Sequence, residues 1–385
     1  MLVFFHCPSN TGYAISQLER VFLAAACRAA GSLESVHFAY PDLSAGHPAT
    51  LPSEFDRVLR FDPRLGDEAH LRSIEEYVRR NDIRIAFGFD QPVRLPGYEA
   101  LRRGGIRTFI SYWGAPMSDL NHGLKLAMRR LDVAISRHGP DHFIFESIAM
   151  QRAAVEGRGI PHSRTSITYL GVDTERFRPP ARPDWYAHEL FAIPKDRRII
   201  YYSGHIGERK GVHVLVRAVV EMVTRRDRRD VHLVILGDRT GQAAAFEQLY
   251  RGTQAEGHIT FGGYRSDVEQ VIRGAYVGAI ASTGWDSFTM SSVEMAACGI
   301  PLVVSRVPGL DETVEEGKTG FLFPVGDHQA LADRLAQIVD DPVLRQRMSD
   351  ASRERVLNRF TVGRQIDSLA STIADVDAKR IARVR

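Results

Sequence analysis

Two stretches of this chain carry residue types at spacings that could do chemistry, and both suit ligands rich in oxygen. The first is Gly204-His205-Ile206-Gly207-Glu208-Arg209-Lys210-Gly211, between an apolar run at residues 199–203 and a helical pattern starting near Val212. Glycines, cations and a helix N-terminus favour oxygen anions, because free backbone N–H groups and the helix dipole add to side-chain charge. A solvated basic turn has the same composition. It is not a Walker loop, which needs four residues between its first Gly and the Gly-Lys-Ser/Thr. The second stretch is Ser282-Thr283-Gly284-Trp285-Asp286-Ser287-Phe288-Thr289-Met290-Ser291-Ser292-Val293-Glu294, whose second half opens a short helix expected to be capped by Gly299 and stopped by Pro301. Asp286 lies in the loop, and Glu294 about two turns inside the helix at roughly 3.6 residues per turn. Carboxylates accept paired hydrogen bonds from vicinal hydroxyls, so two spaced this way suit a sugar and a ribose on one nucleotide sugar. The free amides of Thr289 to Ser291 would point at the diphosphate between them.

Such loops must be held by strands. Short apolar runs at residues 2–5, 35–39, 83–87, 108–110, 133–135 and 166–169 alternate with helical patterns, and a second series follows at 199–203, 231–236, 258–261, 278–281 and 301–305. Strands alternating with helices imply parallel sheets covered on both faces. Between the series, residues 173–195 carry four prolines and read as irregular. The expected organisation is therefore a doubly wound domain over 1–178, a linker at 179–195 and a second such domain over 196–364, with a helix at 365–385 crossing back to the first. Ligands bind beyond the carboxyl ends of strands in such sheets, and two of them facing across a cleft would share one.

Composition excludes several classes. With 385 residues, 44% hydrophobic and 25% charged, the chain is neither disordered, collagenous nor one long coiled coil. No run approaches the roughly 18 apolar residues of a membrane span, and the start, MLVFFHCPSN, reads as a buried strand rather than a signal peptide. A net charge of +3 is too small to make nucleic acid the partner. Cys7, Cys27 and Cys298 have neither zinc nor CxxC spacing, which suits a reducing, cytoplasmic compartment.

The stretch from Asp286 to Glu294 resembles the Glu, seven residues, Glu motif of family 4 retaining glycosyltransferases, which have the two-Rossmann GT-B fold. Tyr169-Leu170-Gly171-Val172-Asp173, Lys210-Gly211, Leu236-Gly237-Asp238, Phe261-Gly262-Gly263-Tyr264 and Lys318-Thr319-Gly320-Phe321 agree with it in order. The resemblance covers most of residues 165–360 and is weak before them. It implies that Glu294 holds the ribose, Asp286 the transferred sugar and Lys210 the diphosphate, while Gly263 and Tyr264 line the base pocket and Gly12 lets backbone approach the phosphates. The implied catalytic set is Lys210, Asp286 and His205, which stands where an Arg usually assists the lysine. The implied donor set is Gly12, Gly204, Arg209, Gly237, Gly263, Tyr264, Phe288, Thr289, Met290, Ser291 and Glu294. The co-substrate would be a UDP- or GDP-linked sugar, with no metal and no separate cofactor. Asp286 stands where the family has Glu, and Trp113 stands in the region where a first-domain histidine is usual.

On the acceptor side, Tyr112 and Trp113, with Asp119 behind them, would form a wall that stacks on a sugar, and His138 would face the cleft from a strand end; core packing of Trp113 and a surface His138 are the plain alternatives. The acceptor would be a hydroxyl-bearing sugar or a lipid-linked one. Lys125, Arg129 and Arg130 share a helix with Leu124, Leu126, Met128 and Leu131. Such a helix could touch anionic lipid at the inner membrane face, but an ordinary half-buried helix is the expectation. Asp375-Val376-Asp377 resembles a metal motif but sits in a helical pattern, where residues two apart diverge. Together these features point to a hexosyltransferase; the rivals are a nucleotide-sugar epimerase or hydrolase of the same fold and a non-catalytic nucleotide-sugar-binding protein.

Overall fold

The computed structural model describes residues 1–384, with side chains through 382. The chain forms two units, Met1–Tyr169 with Gly363–Arg385, and Leu170–Val362. In the first, β1 (Leu2–Phe4), α1 (Tyr13–Ala30), β2 (His37–Tyr40), β3 (Val58–Arg60), α2 (Glu68–Arg80), β4 (Ile85–Phe89), α3 (Tyr98–Gly104), β5 (Thr108–Trp113), α4 (Gly123–Ile135), β6 (His142–Phe145), α5 (Ile148–Arg152) and β7 (Thr165–Ile167) alternate. All seven strands pair in parallel, in the order β3-β2-β1-β4-β5-β6-β7. Helices cover both faces, so β1 and β2 are buried at every position; β1 reads as an unbroken apolar run and β2 as one opened by the buried His37. The second unit holds α6 (Tyr186–Leu190), β8 (Arg198–Ser203), α7 (Val212–Arg225), β9 (Val231–Leu236), α8 (Ala244–Glu247), β10 (Ile259–Phe261), α9 (Val268–Arg273), β11 (Val277–Ile280), α10 (Met290–Ala297), β12 (Leu302–Ser305), β13 (Gly320–Phe323), α11 (His328–Asp340) and α12 (Pro342–Arg359). Its six parallel strands run β10-β9-β8-β11-β12-β13. The last helix, α13 (Val362–Val384), is tied to the first unit, where Asp377 accepts hydrogen bonds from Arg107 at 2.9 and 2.7 Å and from Thr108 at 2.6 Å. That ion pair accounts for the apparent metal motif. Among the described residues no helix is long and apolar enough to cross a membrane.

Local chemistry sets the element ends. Asp67, Ser147, Asp327 and Asp341 each accept backbone N–H bonds at the start of a helix, and Pro342 follows at the first turn of α12. Four expectations differ from what forms. Residues 133–135 are the last turn of α4, because the helical period that joins Leu126 and Val133 overrides the short apolar run Val133-Ala134-Ile135; the strand lies at β6. β3 is a half-exposed edge strand whose mixed burial leaves no apolar signature. The stretch 179–195 is not a free linker: α6 lies in it, Tyr186 donates to Asp267, and the units divide at Tyr169 and Leu170. In α10 the cap is Cys298, and Gly299 follows it in the left-handed region at φ 71°.

Candidate functional site

In the second unit, the carboxyl ends of β8, β9 and β10 are brought together by glycines. Gly204 (φ 156°) donates its N–H to Leu236 O at 3.1 Å, and Gly237 (φ 122°) donates to Gly263 O at 2.8 Å. A Cβ on Gly237 would stand 1.9 Å from Gly204 O, and one on Gly211 (φ 68°) 1.7 Å from Ala281 O. No side chain fits either place, so the loop before α7 lies directly against the end of β11. This close approach brings Lys210 to Asp286.

The two charges expected to meet different parts of a ligand are paired with each other. Lys210 Nζ donates to both carboxylate oxygens of Asp286 at 2.8 Å, Ser282 Oγ donates at 2.6 Å, and the Ser287 N–H at 3.0 Å. The aspartate is buried and its lysine largely so. Asp286 is long enough for this pairing despite being one methylene shorter than Glu. The exposed Arg209 lies over the Trp285 ring, 4.2 Å from its centroid, and donates to Trp285 O at 2.7 Å. Trp285 was not among the expected site residues, although its place one residue before Asp286 was a usable signal. His205 is exposed at the tip of the loop, and its carbonyl accepts from the buried Tyr202 hydroxyl at 2.8 Å.

Helix α10 begins at Thr289, which has extended backbone (φ −80°, ψ 137°) and makes no side-chain cap. Its hydroxyl instead donates to Ser292 Oγ at 3.0 Å, so the first-turn amides, including those of Met290 and Ser291, are not capped by it. Ser291 Oγ lies 2.8 Å from Ser203 Oγ, tying the helix to the end of β8. Phe288 was expected to contact the donor; its ring is fully buried against Phe360, 4.8 Å between centroids, so it seats the loop from the core. Glu294 is buried in α10 beside Tyr201. Burial pushes the Tyr201 phenol well above its ordinary range, and the Glu294 charge adds to the effect. At the end of β10, Gly263 (φ 71°) precedes a half-exposed Tyr264, with the Arg239 guanidinium 3.9 Å from its ring centroid. Asp238 accepts the N–H groups of Thr240, Gln242 and Ala243 at 3.0, 2.9 and 2.9 Å, which fixes the Arg239 loop and holds that carboxyl below its usual range.

In the first unit, Gly12 is the N-terminal cap of α1, at φ 140°, a backbone region that side-chain-bearing residues rarely adopt. The acceptor wall does not form. Tyr112 is fully buried, donating to Glu146 Oε1 at 3.1 Å and accepting from Gln365 at 3.3 Å. Trp113 is half-buried in a core cluster with Val93 and Phe143, its indole donating to Gln91 O at 3.2 Å. Asp119 and His138 are exposed before and after the 13-residue α4, about 20 Å long at 1.5 Å per residue. His138 follows this helix, not a strand. The structure instead points to His6 and Asp90, which the sequence reading missed. They follow β1 and β4, where the strand order reverses, the usual ligand crevice of such sheets. Asp90 has φ 52°, accepts the Gly114 N–H at 2.9 Å and stands 3.7 Å from His6 Nδ1. Burial pushes its carboxyl up to about 7. A carboxylate directly after a wholly apolar strand was the available signal. Among the described residues, no three His, Cys, Asp or Glu side chains gather as they would around a metal.

Residues 186–355 match the family described as "Glycosyl transferases group 1". A D-inositol 3-phosphate glycosyltransferase of Corynebacterium diphtheriae is 32% identical over 219 residues, 55% of this chain and 51% of that protein. An N-acetyl-alpha-D-glucosaminyl L-malate synthase of Bacillus anthracis is 26% identical over 48% of each chain. The chain thus spans about half the length of these curated relatives. Whole-chain similarity appears in solved structures. Anabaena HepE in complex with UDP superposes with a TM-score of 0.78 over 97% of this chain and 99% of its own, at 18% identity. Sucrose-phosphate synthase of Thermosynechococcus elongatus gives 0.71 over 99% of both, at 19% identity. The fold is GT-B.

Proposed function

We propose that this chain transfers a hexosyl unit from a nucleoside diphosphate sugar to a hydroxyl acceptor, with retention of anomeric configuration. The observation that carries the reading is the cluster at the strand ends of the second unit: Lys210 and Asp286 beside the glycine-bound turn, the open first turn of α10, and Glu294 two turns on. Sugar hydroxyls on Asp286 and phosphate oxygens on Lys210 would each replace half of the resting ion pair, so both charges stay satisfied when the donor binds. Glu294 takes the ribose, and Tyr264 with Arg239 forms the base platform. As the acceptor oxygen bonds to the anomeric carbon, the bond to the phosphate breaks, its electron pair leaves on the nucleoside diphosphate, and the departing phosphate oxygen takes up the acceptor hydroxyl's proton. A fixed cation and the α10 amides stabilise that developing charge. Retention follows from the likeness of the Asp286 to Glu294 segment to retaining enzymes. UDP-sugars are the first choice because a solved neighbour holds UDP. Three free cysteines accord with action in a reducing cytoplasm.

The test is nucleotide binding and donor turnover in two variants. Glu294→Ala should weaken binding of the nucleoside diphosphate by about tenfold or more, the loss of a charged hydrogen bond to ribose. Lys210→Ala should mainly lower turnover. Unchanged binding in the first and unchanged turnover in the second would overturn the site.

A further inference from the structure

The loops before α7 and α10 run in step and are bonded to each other along their length. Thr283 donates its N–H to Arg209 O at 2.8 Å and its hydroxyl to Glu208 O at 2.9 Å. Arg209 donates to Trp285 O at 2.7 Å, and Lys210 to the Asp286 carboxylate at 2.8 Å. Arg209 therefore meets Trp285 one step before Lys210 meets Asp286. The guanidinium lies 4.2 Å from the centroid of the indole and covers one of its faces. Gly284 makes room for the arginine stem, since a Cβ there would stand 2.9 Å from Arg209 Cγ. The ring is thus held from behind, yet Trp285 is 53% exposed, the most exposed of the three tryptophans. Its other face is open to solvent.

A large ring that is held still while in water has little freedom left to lose when a ligand covers it. The neighbouring side chain defines that ligand. A pyranose has an apolar face of C–H groups and a rim of hydroxyls, and residues 285 and 286 place an aromatic face next to a carboxylate. A nucleobase also stacks on an indole, but the position across the sheet disfavours one here. Trp285 follows β11 and Tyr264 follows β10, and the order β10-β9-β8-β11 separates them by three strand spacings, about 14 Å. With the base on Tyr264 and the phosphates at Lys210, which follows β8 between them, the end of β11 falls to the sugar. We propose that the open face of Trp285 stacks on the hexosyl unit of the donor, with Arg209 as its fixed backing, so that this residue sets the preference for a hexose-linked nucleotide over the bare one. This role presupposes the nucleotide-sugar reading above and adds to that site a contact with the carbon face of the sugar.

Isothermal titration calorimetry of the full chain, comparing UDP with UDP-glucose and UDP-galactose, and GDP with GDP-mannose, tests this role. Trp285→Ala should weaken binding of the hexose-linked nucleotide by about tenfold and leave that of the bare nucleoside diphosphate within about twofold, the size of one aromatic contact. Its melting temperature should be kept, since the ring is exposed. Trp285→Phe should recover most of the lost affinity, because a smaller ring keeps the stacking face. Intrinsic fluorescence of the wild type should change more with the hexose-linked nucleotide than with the bare one, a difference that should vanish in Trp285→Phe. Equal weakening of both kinds of ligand, unchanged binding of both, or an effect confined to the acceptor dependence of turnover overturns the role of Trp285 and leaves the donor site standing. A wild type that binds none of these nucleotides overturns the nucleotide-sugar reading itself, and this role with it.

Discussion

Replacing Asp90 by Asn should make the protein more stable, and by an amount that depends on pH. The carboxyl is pushed from 3.8 to about 7 by burial, against a smaller opposing pull from the Gly114 N–H. Between those values the folded chain holds a proton that the unfolded chain releases. The associated stability is complete below pH 3.8 and is lost as pH rises through 7. At about 1.4 kcal/mol per unit, keeping this carboxylate in place costs about 1.6 kcal/mol at pH 5 and about 4 kcal/mol at pH 8. Asn keeps the acceptor for Gly114 and is among the residues that best tolerate φ near 52°, so neither bond nor backbone is disturbed. In urea unfolding followed by circular dichroism, the gain on substitution should be roughly 2–3 kcal/mol larger at pH 8 than at pH 5. An equal difference at the two pH values would refute the reasoning. A carboxylate kept at this cost, next to His6 at the point where strand order reverses, fits a group retained to meet a hydroxyl.

Other outcomes follow from the same geometry. Lys210→Met leaves the buried Asp286 unpaired and should destabilise by about 3–5 kcal/mol in urea unfolding, most of it recovered when Asp286→Leu is added; equal loss in single and double variants would deny the pairing. Gly211→Ala puts a Cβ 1.7 Å from Ala281 O and should cost at least about 3 kcal/mol in melting experiments, whereas Gly207→Ala meets nothing within 4 Å and should be near neutral. Burial drives His232 down to about 3 and His37 and His142 to about 4, so they stay neutral when folded. Their stability contribution is present above pH 6.5 and is lost as pH falls through the window from there to about 3–4, each by up to about 1.4 kcal/mol per pH unit. The pH profile of His142→Gln should be flatter there, and an unchanged profile would contradict this.

Much of the architecture was legible because parallel strands covered on both faces must be continuously apolar: the expected run at 231–236 is β9 to the residue. The signal failed where that condition fails. β3 is an edge, and the apolar run Val133-Ala134-Ile135 is helical because its neighbours keep a helical period. The 204–211 and 282–294 stretches were legible as candidates because their glycines, cations and carboxylates lie close in sequence, and both fall at strand ends of the second unit. The Lys210–Asp286 pair was not: 76 residues separate its members, and only the adjacency of β8 and β11 brings them together. Asp90 was missed for a related reason, because its raised pKa comes from burial, which a sequence shows only indirectly. Tyr112 was misjudged because an aromatic residue near a strand end can point into the core as readily as toward a ligand.

The most direct measurement incubates the protein with UDP-glucose, and with GDP-linked hexoses in parallel, together with a pool of hydroxyl acceptors, and follows nucleoside diphosphate release alongside the anomeric proton coupling of any product. Sugar transfer with retention predicts acceptor-dependent release, a new glycoside with the donor's anomeric configuration, and loss of both in Lys210→Ala. Donor hydrolysed or epimerised to the same extent without acceptor, or no turnover in a folded protein that binds the nucleotide, would contradict it.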